Sequence, residues 1–193
     1  MTEQQWETTD DAILMIGYIW GVTNDSRSPL PKLSRGMNRS HHPSVELHRY
    51  YLACCRSIWP LLPQKASRRG IELAELWVDG KVSNVELNKF NYYVEGAAFN
   101  IDYNTEPDSI EKWIADVRAN DSYRHLLHPP AAADRLAPRE ILKRAAYFAD
   151  YAMVYPSLRP EGPPPETYRP FLSAELLRRF VAFDDISNSQ AGS

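Results

Sequence analysis

The sequence predicts an all-α fold, and three observations carry that prediction. Apolar residues recur at helical spacing along most of the chain. Strand-period alternation of any length is absent. Two long stretches, 21–43 and 156–170, read as non-helical. With 193 residues and 44% hydrophobic content, the chain can bury a core without disulfides or metals. The expected organisation is one bundle-like helical domain of six or seven helices over 1–155, with loop 21–43 read as an insertion. A proline-rich strap over 156–170 and a C-terminal helix with a loose tail over 171–193 follow.

The elements are justified in order. "TTDDAILMIGYIW" offers Thr9 or Asp10 as an N-cap before an apolar run. The run 12–22 is too short to span a bilayer and follows acidic residues, so it reads as a core helix and no membrane partner is expected. Residues 21–43 carry Gly, Pro, Ser and Asn without periodicity and read as a long loop. After Ser44, a cap residue, Leu47, Tyr51, Cys54, Cys55, Ile58 and Leu62 share one helical face; Pro60 ends or kinks that helix near Trp59. A helix over about 66–79 stops at Gly80, and "SNVE" at 83–86 is a capping box that opens the next. That helix places Leu87, Phe90, Val94, Ala97 and Ala98 on one side. Asp108 is the expected cap of a helix with Ile110, Trp113, Ile114 and Val117 inward. Pro138 suits the first turn of the helix 138–155, whose stripe is Ile141, Ala145, Phe148 and Ala152. The strap "PSLRPEGPPPETYRP" reads as extended and polyproline-like, and a last helix begins after Ser173.

The two cysteines stand side by side in "LACCRSIWPLL", residues 52–62. They form no disulfide framework, which suits a reducing compartment and a cytoplasmic location. Neighbours on a helix diverge by about 100°, so they do not grip one ion together, and zinc sites use wider pairs. Core packing is the favoured reading. A metal or thiol site built with His48 is the alternative, and a reactive thiol would want a cation such as Arg56 nearby. Histidines 41 and 42 end the loop, and "HLLH" at 125–128 gives an i, i+3 pair that Pro129 and Pro130 cut short. Exposed-loop and helix-end roles suffice for these, and no cofactor is expected.

Residues 26–45 hold Arg27, Lys32, Arg35 and Arg39 and no acidic residue. Such a run can meet an acidic protein surface or phosphates, but it lacks aromatics for base stacking. Arg68 and Arg69 sit near the start of a helix with Glu72 one turn on, where both can pair with that carboxylate. The carboxylates Asp10, Asp11, Asp150, Asp184 and Asp185 are scattered, and capping or surface roles account for them. Net charge is −3, so no global field favours nucleic acid. Phosphate-loop and nucleophile-elbow motifs are absent.

"MTEQQW", "LHRYYLACCRSIW" and "SRRGIELAELWVDGKVSNVEL" together resemble an uncharacterised bacterial family, numerous in planctomycetes. Its pattern has a Met-Thr-Glu-x-x-Trp start, an Ala-Cys-Cys-Arg-Arg-x-Trp helix, a Ser-Arg-Arg helix and an Ala-Asp-Gly turn. The resemblance covers roughly residues 1–98 and lands on Cys54, Cys55, Arg56, Trp59, Ser67, Arg68 and Arg69. Ser57 stands where the family has a second Arg, Val78 where Ala is usual, and loop 21–43 is extra. The resemblance implies a helical fold and supplies no reaction.

Three functional expectations follow. The first is a non-catalytic protein–protein interaction module using loop 21–43, the strap, Arg68 and Arg69. The second is a nucleic-acid-associated protein using loop 27–42 with Lys65, Arg68 and Arg69. The third is a thiol or metal-dependent enzyme at Cys54, Cys55 and His48.

Overall fold

The computed structural model describes residues 1–20, 22–23, 32–33, 44–127, 136–154 and 163–186. The fold is all-α. The seven expected helices are present: α2 (Ala12–Ile19), α3 (Ser44–Ser57), α4 (Lys65–Val78), α5 (Asn84–Asp102), α6 (Pro107–Ala119), α8 (Pro138–Val154) and α9 (Ala174–Phe180). Two short ones were not expected from the sequence, α1 (Glu3–Thr8) and α7 (Asp121–Arg124). Thr2 and Gln5 close a capping box on α1, whose buried Trp6 fastens it to the body.

Local chemistry sets the boundaries. Asp11, not Thr9 or Asp10, caps α2, because its carboxylate accepts from the Leu14 amide at 3.0 Å. α4 ends at Gly80 in the left-handed region, φ 74°, with Gly80 donating to Trp77 and Lys81 to Leu76. Ser83 and Glu86 form the expected capping box of α5. Asp108 does not cap α6; Pro107 lies in its first turn, which places Asp108 inside the helix.

The core lies where α3, α4, α5 and α8 meet. α5 packs on α8 and α4, while α3 packs on α8, α9 and α4. All six residues of the expected stripe are buried, four of them in α3 and Ile58 and Leu62 flanking the turn after it; Tyr50 and Leu52 are buried as well, so α3 is central and covered on more than one side. Gly70 on α4 makes the α4–α5 approach: a Cβ there would lie 2.4 Å from Val94 Cγ2 and 3.1 Å from Met153 Sδ.

Three expectations are corrected. Val22–Thr23 (β1) pairs antiparallel with Lys32–Leu33 (β2), so loop 21–43 is not wholly without strand structure. The strap is not extended to its end, since Glu166–Phe171 forms 3-10 turns that bury Phe171 against Phe148. The tail after α9 is not loose throughout: 183–186 is helical, Ile186 is buried, and Phe183 stacks on Tyr18. α9 itself is tied back by Arg178, which donates to the carbonyls of Trp6 and Thr9. No helix among the described residues is long and apolar enough to cross a membrane.

Candidate functional site

The adjacent cysteines face different neighbours. Cys54 lies against Tyr50 and Ser173 at the start of α9, and Tyr50 Oη accepts from the Ser173 amide at 3.2 Å. Cys55 lies on the side of Glu75 of α4. Both are fully buried and unbridged. Burial pushes the Cys54 thiol up to about 12 and the Cys55 thiol well above its ordinary value. Thiolate is therefore scarce at neutral pH, and this geometry provides packing rather than a nucleophile.

Arg56 and Arg68 build a cation–aromatic clamp around the turn that follows α3. Arg56 reaches outward and pairs bidentately with Glu75, Nε to Oε1 at 2.8 Å and Nη2 to Oε2 at 2.5 Å. Its guanidinium lies 4.1 Å from the Trp59 ring centroid. Arg68 sits 5.4 Å from the same ring and 5.1 Å from that of Trp113. The 3-10 turn Trp59–Leu61 leaves its carbonyls short of helical donors. Arg68 donates to Leu62 O at 2.7 Å and Trp59 O at 3.3 Å, and Trp113 Nε1 donates to Pro60 O at 2.6 Å.

The expected Arg68–Glu72 pair is thereby corrected. Only Arg69 holds Glu72, at 3.2 Å, because Arg68 is half-buried and turned onto those carbonyls. As parts of an interaction surface the two arginines differ: Arg69 is exposed and Arg68 is spent on the clamp.

His48 is buried against the Trp77 ring, with centroids 5.2 Å apart. Burial lowers its pKa to about 4, against the opposing pull of the Ala152 and Met153 carbonyls. Among the described residues no group of three or more His, Cys, Asp or Glu side chains could hold a metal ion. Of the basic loop, Lys32 falls in β2. Arg27, Arg35, Arg39, His41 and His42 lie outside the described residues. Asp11 caps α2, a role expected for it, and also pairs with Arg169 at 2.6 Å.

The feature that sequence reading missed is the outer face of α5. Leu87, Asn91, Val94, Ala98 and Ile101 point into the core. On the opposite side Tyr92 is 81% exposed, Tyr103 75%, Tyr93 66% and Phe99 40%. Together these four rings leave on the order of 500 Å² open to solvent, from the area that aromatic side chains present. Apolar patches of about 300–600 Å² on a monomer are often functional. Gly96 lies within this face, and a Cβ built on it meets nothing within 4 Å. A mid-helix glycine costs about 1 kcal/mol relative to alanine, and no packing against the described residues offsets that cost here. The signal in the sequence was an excess of aromatics in "KFNYYVEGAAFNIDY", more than one buried stripe can hold.

Comparison with known proteins returned no matching family model, no matching curated protein and no matching solved structure.

Proposed function

We propose that this chain is a non-catalytic, cytoplasmic helical module that binds protein, and that the outer face of α5 is its contact surface. The observation that carries the reading is the exposure of Tyr92 and Tyr93 on a helix whose other side is locked into the core, and of Tyr103 just past its end. Aromatic side chains on a rigid element are what protein interfaces favour, since they offer large contact area at small entropic cost. The buried thiols and the cations spent on the clamp give no competing reason to favour catalysis. Loop 21–43 remains a candidate second contact.

The test is recovery of partners by tagged full-length chain from native lysate, with and without nuclease, beside a Tyr92→Glu/Tyr103→Glu variant. A stoichiometric protein, a second copy of this chain included, should survive nuclease and be lost with the variant. Recovery abolished by nuclease would replace this reading with nucleic-acid binding through the basic loop. Equal recovery by the variant would remove α5 from the surface.

A further inference from the structure

We infer that the two ends of the chain close over α3 as one latch, which opens as a unit and uncovers Cys54 while Cys55 stays enclosed. The N-terminal half of the latch is α1 and α2. The C-terminal half runs from the 3-10 turns at Glu166–Phe171 through α9 to the buried Ile186. The two halves hold each other. Arg178 donates from Nε to the Trp6 carbonyl at 2.8 Å and from Nη2 to that of Thr9. Arg169 pairs with Asp11 at 2.6 Å. Phe183 stacks on Tyr18, with 6.1 Å between centroids, and meets the Trp6 ring at 6.2 Å.

Length makes each half depend on the other. α1 has six residues, α2 eight and α9 seven. Helices shorter than about 12 residues do not persist alone in water, so each of these is held by what it packs against. Losing either half removes the partner that the other needs, and the two open together as one cooperative unit. The centre lacks that weakness: α4, α5 and α8 have 14, 19 and 17 residues and pack on one another.

The adjacent thiols sit on opposite sides of this division. Cys54 meets the Ser173 backbone at the start of α9, where the Ser173 amide donates to Tyr50 Oη at 3.2 Å. Cys55 lies on the side of Glu75 of α4, inside the centre. Lifting the C-terminal half therefore bares Tyr50 and Cys54 and leaves Cys55 beneath α4. Access governs Cys54: its thiol reacts only in the open state, where water supports the thiolate. A group added to the sulfur does not fit back into a seat closed to solvent, so modification holds the latch open.

Alkylation of the purified full chain with N-ethylmaleimide at neutral pH tests this, with the initial rate at each thiol resolved by peptide fragmentation. The sulfur adds to the maleimide double bond and its proton ends on the neighbouring carbon. Cys54 should react at least ~10-fold faster than Cys55, since opening the latch costs less than global unfolding. Arg178→Ala should speed Cys54 by a further ~10-fold, the worth of its charge-assisted hydrogen bonds, and leave Cys55 unchanged. Native-state hydrogen exchange reads the coupling between the ends. In Arg178→Ala the amides of α1 and α2 should lose protection together with those of α9, while α5 and α8 keep theirs. Equal initial rates for the two thiols in the unsubstituted chain overturn the inference, because Cys54 is then freed only by global unfolding. Loss of protection in α9 with α1 and α2 unchanged overturns it as well, because the ends then move separately. Should Arg178→Ala fail to fold, exchange of the unsubstituted chain in dilute urea decides. α1, α2 and α9 should then share one opening free energy below that of α5 and α8, and a single value for all five helices overturns the inference.

Discussion

The clamp at the end of α3 and the outer face of α5 are both aromatic-rich, and they use their rings in opposite ways. In the clamp, Trp59 and Trp113 are enclosed by Arg56 and Arg68, and the carbonyls of the turn between them have donors. On α5, Tyr92 and Tyr93 stand in solvent although their helix is as firmly held as any in the fold. Rings that satisfy one another report on stability, while rings held rigid and left uncovered report on recognition. Substitutions in the first region should therefore be read in folding energy, and those in the second in association.

The largest folding effect belongs to the centre that the clamp closes. Cys54→Gln inserts a bulkier polar side chain where no solvent reaches. Overpacking and amide burial together should cost about 3–5 kcal/mol, or prevent folding, as read by urea denaturation. Trp59→Ala should cost about 3 kcal/mol by the same measurement, the low end for a tryptophan, because the ring is only half-buried and part of its worth is cationic. A loss below about 1 kcal/mol for Trp59→Ala would show the clamp to be ornamental and erase the contrast with α5.

What could be read from the sequence divides along the same line. Periodicity located every long helix, because burying a stripe is what sets the spacing of Leu47, Tyr51 and Cys55 or of Ile141, Ala145 and Phe148. It did not separate Trp59 or Phe90, half-buried, from true core, since spacing says which residues share a side and not how much covers them. Arg68 was misassigned to Glu72 because neighbours on a helix are visible in sequence, whereas the carbonyls of Trp59 and Leu62 are brought to it only by the turn. The α5 face was missed for a related reason. The core stripe accounted for Leu87, Val94 and Ala98, and exposure of the remaining rings depends on which neighbours pack where. α1 escaped because six residues give too little periodicity to register.

His48 gives a smaller effect with a definite sign. Its folded pKa, about 4, lies below the ordinary 6.5, so between those values the unfolded chain binds the extra proton. Stability is full above about pH 6.5 and falls as pH drops towards 4. Between about pH 7 and about pH 4.5 the histidine should cost roughly 2 kcal/mol. Asp79, Glu86 and Glu140 also have lowered pKa values, and their loss adds at more acidic pH. Comparison with His48→Gln isolates the histidine: the variant's stability should change less between the two pH values. Equal slopes for both proteins would mean that the imidazole is not desolvated.

The smallest effect sharpens the comparison most, because one substitution is made twice. Gly70→Ala pushes a Cβ to 2.4 Å from Val94 Cγ2, on a β-branched side chain that a helix holds stiffly. Overpacking should outweigh the gain in helix propensity and leave a net loss of about 1–2 kcal/mol. Gly96→Ala meets nothing, so propensity acts alone and the chain should gain up to about 1 kcal/mol. Both are read as denaturation midpoints of the purified chain without a partner. If Gly96→Ala were destabilising under those conditions, something in the chain itself would already cover α5. If it stabilises the chain while weakening association, the glycine is kept for a contact outside the chain's own fold, and its cost in helix stability is offset only when that contact forms.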